Sequence, residues 1–297
     1  MTAELSRIRS SVLSWYADEH RDFPWRGTTD PYAVLVSEVM LQQTQAARVA
    51  ERFPRFMHRF PTAASLAGAS DADVLVEWSG LGYNRRALAV QAAARVVERD
   101  GWPTDVAGLE RLPGVGPYTA RAVASRAFGL PVGVVDTNVR RWLLRRLRGP
   151  DQRGSLQAAA DKLASTGRGP EAAAWTHASM EFGAAVCRAR APRCDACPVA
   201  DGCPSRHSPA TVVVRRQPAL RGSDRAYRGA LLKRLSRASG HRLPELSVRS
   251  ELASGHFAIG PTLDDDGWER ILAGLERDGL VHRREGDLSL GAATIRR

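Results

Sequence analysis

Lysine is nearly absent from this chain. Only Lys162 and Lys233 stand among its 43 basic residues, in a sequence of 297. Chemistry through a lysine imine therefore has no candidate before position 162. Cysteine is confined to one window, from Cys187 to Cys203. No stretch approaches the ~18 consecutive apolar residues of a membrane span. The first residues, MTAELSRIRSSVLSWYADEHRDFPWR, hold no uninterrupted apolar core of signal-peptide length. The expected setting is cytoplasmic and nucleoid-associated, where thiols stay reduced. Acidic residues are also short: 32 Asp and Glu leave a net charge of +11. That excess suits a polyanionic partner, although a GC-rich genome would inflate Arg and Ala together. Hydrophobic residues at 43% and charged residues at 25% exclude wholesale disorder, and the length suits about two domains.

Residues 1–205 read as a helical body. Tyr32 to Phe60 has helical spacing, with Asp30 as N-cap and Pro31 at the first helical position. Further helical patterns fall near 71–79, 84–99, 117–128, 136–147, 155–165 and 171–186, separated by Gly/Pro punctuation. Neither strand alternation nor an internal repeat is evident there. Residues 206–224 read as a basic linker. From 211 to 249, ten Arg and Lys face only Asp224 and Glu245, a net +8. The order then is helix (226–238), helix (245–253) and helix (264–278). A hairpin follows around Glu285-Gly286-Asp287. Residues 225–297 thus resemble a small winged-helix-like α+β module; a helical tail packed on the body is the alternative. The charge near the module's start implies added non-specific DNA affinity.

The cysteines follow C-x6-C-x2-C-x5-C: Cys187, Cys194, Cys197 and Cys203. Four thiolates so close in sequence suit a metal centre, and spacing alone admits zinc as well as iron–sulfur. Two disulfides are disfavoured by a reducing compartment. Glu38 interrupts the run Val34-Leu35-Val36-Ser37-Glu38-Val39-Met40-Leu41. A carboxyl in such apolar surroundings can stay protonated as a general acid; the alternative is a pairing with an arginine across the core. Leu112-Pro113-Gly114-Val115-Gly116 separates two helical patterns, and the amides after such a turn can hold a phosphate. Asp136, after an apolar loop, can stabilise a developing positive charge and equally suits an N-cap for the next helix.

Together these motifs resemble the endonuclease III, helix-hairpin-helix superfamily of DNA glycosylases, over about residues 5–205. The resemblance rests on LPGVG, the Gly129–Asp136 loop and the cysteine spacing. It implies a mainly α fold of two helical lobes and a [4Fe-4S] cluster on Cys187, Cys194, Cys197 and Cys203, in a 187–203 loop, with zinc the lesser alternative. Within the superfamily, SEVMLQQTQ over residues 37–45 is similar to the adenine DNA glycosylases nearly residue for residue. That likeness implies that Glu38 protonates adenine at N7 while Asp136 stabilises or traps the sugar cation. Asn138 would position Asp136 or the water. Tyr118 stands where lyase members carry the imine-forming lysine, so a monofunctional enzyme is implied, with Tyr118 orienting the site. Trp25 and Arg26 resemble the segment forming the adenine pocket, and Glu181 the acidic residue that contacts adenine. Leu81 and Tyr83 resemble the wedge beside the orphaned base. Gln43 and Thr44 stand where the family probes the opposite 8-oxoguanine. Leu112, Gly114 and Gly116 would carry the phosphate-binding hairpin.

The resulting expectation is a glycosylase that removes adenine opposite 8-oxoguanine or guanine. It would act as a monomer on double-stranded DNA, with no membrane partner. The alternatives are a thymine glycosylase for T:G mismatches and a non-catalytic DNA-binding member. Two features depart from the family. His177 stands where some members carry a glutamine, and residues 211–297 are short for the nucleotide-hydrolase-like domain that reads 8-oxoguanine in many members and do not show its strand-rich pattern. Ser254-Gly255-His256-Phe257 resembles that domain's recognition loop only superficially.

Overall fold

A computed structural model describes residues 3–147, 153–206, 220–253 and 263–291. Most of the 206–224 linker and the Ser254–Phe257 segment lie outside the described residues. Helices are α1 (Ala3–Glu19), α2 (Pro31–Leu41), α3 (Ala46–Arg59), α4 (Ala63–Ala67), α5 (Asp71–Glu77), α6 (Arg85–Asp100) and α7 (Val106–Glu110). They continue as α8 (Pro117–Phe128), α9 (Thr137–Leu147), α10 (Arg153–Ala164) and α11 (Pro170–Ala185). The C-terminal elements are α12 (Asp224–Ser236), β1 (Arg242–Pro244), α13 (Glu245–Ala253), α14 (Asp265–Arg277), β2 (Val281–Arg284) and β3 (Asp287–Leu290). No described helix is long and apolar enough to cross a membrane. The chain forms two compact units, one from the described parts of 1–39 and 101–215, the other from those of 40–100 and 216–297.

Helix α2 starts as its sequence dictates. The Asp30 carboxylate accepts from the Tyr32 and Ala33 amides at 3.3 and 3.0 Å, and Pro31 needs no donor there. Every residue from Tyr32 to Met40 is buried, Glu38 among them. The helical spacing from Tyr32 to Phe60 resolves into two helices, α2 and α3. The polar run Gln42-Gln43-Thr44-Gln45 breaks the apolar pattern, and Gln43 takes a φ of 54°, which a right-handed helix cannot continue.

In the first unit, α1, α9, α10 and α11 share a core of Val12, Trp142, Leu163, Trp175 and Phe182. Trp142 packs edge-on against Trp175 and Phe182. The hairpin joins α7 to α8. Gly114 adopts a φ of 73°, which glycine alone takes at no steric cost. Gly116 caps α8 without a side chain, and Pro117 opens the helix. Leu112 and Val115 are buried and anchor the turn.

In the second unit, Phe56, Phe60 and Trp78 pack edge to face. The C-terminal elements run helix, strand, helix, helix, strand, strand, and the antiparallel sheet has the order β1-β3-β2. This is the winged-helix arrangement, with β1 as a strand that its three residues are too short to signal. Buried Trp268 donates to Glu245 at 2.9 Å, and Arg283 satisfies the same carboxylate. The module packs on α5 through α12 and β3. Arg85 reaches Asp278 at 3.5 Å.

Candidate active site

Two helices of the first unit, α2 and α8, bring Glu38, Tyr118 and Arg126 together. Glu38 is the one charge on α2 and is 3% exposed. The hydroxyl of Tyr118, the second residue of α8, donates to Glu38 Oε2 at 2.9 Å. Two turns further along α8, the buried Arg126 guanidinium donates to Glu38 Oε1 at 2.5 Å and to the Trp25 carbonyl at 2.8 Å. The alternative read from the sequence, an arginine paired with Glu38 across the core, is thus what the structure shows, and the surroundings are not wholly apolar. The sequence signal of Arg126 was an arginine set in the small-residue run Ala122-Val123-Ala124-Ser125-Arg126-Ala127, a position that faces the core.

Burial first, then the nearby Glu38 and Asp136 charges, hold the Tyr118 hydroxyl well above the ordinary tyrosine value. It keeps its proton and acts as a donor. Asp136 caps α9: Oδ1 accepts from the Val139 amide at 2.6 Å and Oδ2 from Asn138 Nδ2 at 2.7 Å. Both roles read from the sequence are thus compatible at one residue. Burial raises the Asp136 carboxyl; the bonds from Val139 and Asn138 oppose this, and the Glu38 charge adds to it. Asn138 is itself held by Arg141 at 2.9 Å. Gly183 permits this approach, since a Cβ there would lie 2.7 Å from the Asn138 carbonyl oxygen.

Glu181, on α11, is buried between two arginines. Arg21 donates from Nε at 2.5 Å, and Arg26 donates from Nη2. Burial opposes its charge, but those bonds and charges win and hold the carboxyl below its usual range. Arg26 also lies over the Tyr16 and Phe23 rings, and its buried Nε has no partner among the described residues. Trp25 is buried and stacks on Phe23 at 4.9 Å. His177 is pushed well below the usual histidine value by burial, then by the Arg126 and Arg26 charges. Its ring is neutral near pH 7.

The wedge and turn residues belong to the second unit. Tyr83 is 42% exposed with a φ of 48°, whereas Leu81 is buried beneath the loop. Gln43 is exposed; the Thr44 hydroxyl instead donates to the Gln42 and Leu81 carbonyls. Sequence reasoning missed the residue that joins these pieces. Arg86 donates to the carbonyls of Met40 at 3.2 Å and Gly82 at 2.9 Å, to the Gln42 carbonyl, and to Thr44 Oγ1 at 3.1 Å. It lies over Trp78 and Tyr83. Burial lowers its pKa to about 10.

The four cysteines line one cavity, each half-buried. Arg145 donates to Cys187 Sγ at 3.5 Å. Among the described residues, no three His, Cys, Asp or Glu side chains are drawn together as ligands of a single ion. The donor set is four thiols with no other ligand type, which fits an iron–sulfur group or a four-cysteine metal.

Comparison with known proteins places this geometry. The HhH-GPD superfamily base excision DNA repair protein family matches residues 36–166. An adenine DNA glycosylase of Mycobacterium tuberculosis is 46% identical over 285 residues, covering 92% of this chain and 90% of its own length. The chain belongs to the adenine DNA glycosylase family. The human adenine DNA glycosylase is 43% identical over 222 residues, but covers 69% of this chain and 40% of its own length. The solved structure of a thermostable thymine-DNA glycosylase superposes with a TM-score of 0.64 at 28% identity, over 69% of this chain and 97% of that one. Family membership makes the chain a base excision repair enzyme on the helix-hairpin-helix fold. The match to the mycobacterial relative extends through far more of the chain than the match to the human one does.

Proposed function

We propose that this chain is a monofunctional glycosylase that releases adenine from duplex DNA where it is mispaired with 8-oxoguanine or guanine. The observation that carries the reading is the bonded pair Tyr118–Glu38, with Asp136 close enough for its charge to act on Tyr118. The target base leaves the stack before it reaches any pocket, at a cost of a few kcal/mol that a mispair lessens.

Glu38, ion-paired with Arg126 at rest, first takes up a proton from water and then passes it to adenine N7, which turns the base into a better leaving group as the bond to the sugar C1′ breaks. Tyr118 orients the carboxyl and keeps its own proton. Positive charge develops on the sugar. Asp136 is costly to hold as a buried anion, and that cost falls when a cation forms beside it. Water, positioned with Asn138, or Asp136 itself then receives C1′. Arg26 would help to wall the adenine pocket, and Glu181 fixes Arg26 in place. Neutral His177 can serve where some relatives carry glutamine. The amides that follow Gly114 and Gly116 hold a phosphate. Gln43 and Tyr83 hold the gap open, with Leu81 and Thr44 supporting the loops that carry them.

Cys187, Cys194, Cys197 and Cys203 would hold a [4Fe-4S] cluster. The four-thiol set suits the cluster that the family resemblance implies and also admits a four-cysteine zinc ion. Bound there, the cluster would pin the 187–203 loop to α9 through Arg141 and Arg145, which already bond the Cys187 and Arg188 carbonyls. The chain is read as a monomer of the cytoplasm and nucleoid.

Alkali cleavage after incubation with A:8-oxoG, A:G and T:G duplexes tests the reading. Release from the adenine substrates is expected, with none from T:G, no nicking before alkali and no borohydride trapping. Release only from T:G would replace adenine by thymine as the substrate. Binding without release would leave a non-catalytic member.

A further inference from the structure

The strongest feature outside the catalytic cluster lies wholly in the second unit. A groove of about 940 Å³ runs between α3, the 79–84 loop and α12. Its walls carry Arg48, Arg52, Arg221, Arg225, Lys233 and Arg237, and among the described residues no Asp or Glu lines it. The spacing explains the alignment. Arg221, Arg225, Lys233 and Arg237 recur at multiples of four along one face of α12 and its flanks, and Arg48 and Arg52 are four apart on α3.

Most basic residues of the module are committed elsewhere. Arg228, Arg234, Arg242 and Arg249 pair with Asp278, Glu251, Asp287 and Asp265. Among the described residues, Arg48, Arg52, Arg221, Lys233 and Arg237 have no carboxylate partner. The net positive charge in the sequence near the module's start is thus sorted by the fold into neutralised pairs and one open groove.

Two further observations point to a polyanionic strand. Gly229 interrupts the basic stripe at the position between Arg225 and Lys233, and a Cβ there would meet nothing within 4 Å. The fold does not require this glycine, and the bare backbone leaves room for close approach. Helix α14, which would enter a DNA groove in the usual winged-helix docking, instead begins Asp264-Asp265-Asp266. The module's charge therefore favours α12 over α14 as its DNA-facing element.

We propose that this groove binds the phosphodiester backbone of the DNA strand opposite the excised base. The proposal rests on the glycosylase reading above, in which Gln43 and Tyr83 hold the gap; both also line the groove. The winged-helix module then contributes to holding the damaged strand.

The test uses the full chain and a duplex with a central A:8-oxoG pair. K233E/R237E should bind this duplex about tenfold more weakly at moderate salt, and the slope of log affinity against log salt should fall by about 2. G229Q should keep or raise the melting temperature, because glycine is a poor helix former, and should still weaken binding. R284E, on the β2–β3 hairpin, should leave affinity unchanged. Neutral methylphosphonate linkages flanking 8-oxoG should weaken the wild type and have little further effect on K233E/R237E. Unchanged affinity and slope in K233E/R237E would overturn the groove. So would a loss in R284E alone. Coupling to methylphosphonates only in the adenine strand would overturn the strand assignment. If the wild type releases no adenine yet the groove coupling persists, the glycosylase reading falls and the groove stands.

Discussion

Arg126 donates to Glu38 from a fully buried position, so the general acid of the proposed mechanism is one half of an ion pair inside the first unit. Removing one member of such a pair strands the other. R126M should lower the unfolding free energy by about 3–5 kcal/mol. E38Q should abolish adenine release while leaving duplex binding nearly intact. The double variant E38Q/R126M should be more stable than the sum of the single losses predicts, by about 1–3 kcal/mol. Urea denaturation of the four proteins measures this cycle. Strict additivity would mean that the two residues do not depend on each other.

Asp136 makes a prediction about pH. Burial raises its carboxyl, so the folded chain holds that proton more tightly than the unfolded chain does. Its contribution is then complete below the unfolded value of ~3.9 and is lost as pH rises through the raised folded value. D136N keeps an N-capping side chain but has no such titration. The stability of D136N relative to wild type should therefore grow between pH 4 and pH 8 in thermal unfolding, while excision falls by about 100-fold or more. A wild type that gains on D136N as pH rises would contradict the assigned direction.

What could be read in advance was local. Asp30-Pro31 announces the start of α2, Gly114 the hairpin, and Asp136 its own capping role, because each acts on amides within four residues. Glu38 was legible as an interruption of an apolar run. Its partner Arg126 was not, because the two are 88 positions apart and only the packing of α2 on α8 pairs them. The same limit hid Arg86, whose acceptors are carbonyls in two separate turns. The short helices α4 and α7 depend on the Thr62–Ser65 and Asp105–Gly108 caps, and five residues are too few for periodicity to show.

The cysteine loop separates iron from zinc by assay. Protein purified without oxygen should carry about four iron per chain, negligible zinc and a broad visible absorbance. Burial raises the Cys187 thiol, and the Cys197 thiol to about 11, so ligation must release protons and loading should weaken as pH falls. C194S should lose the absorbance. One zinc per chain with no visible band would assign the site to zinc.

Arg86 offers the sharpest test of the loops in the second unit. Its guanidinium satisfies carbonyls at Met40, Gln42, Leu81 and Gly82 while packing between Trp78 and Tyr83. The left-handed conformations of Gln43 and Tyr83 persist only if their surroundings hold them. R86A removes that support and should cost about 2–3 kcal/mol in stability, since bonds to a charged donor are lost from partly buried acceptors. R86K restores the charge, but a single ammonium cannot span acceptors on both turns, so rescue should be partial. If the lost contacts matter mainly for positioning, R86K should recover stability more than it recovers discrimination between A:8-oxoG and a normal pair. Measuring both quantities on wild type, R86A and R86K decides this. Full recovery of discrimination by R86K would show that the charge alone, and not the forked geometry, sets the loops.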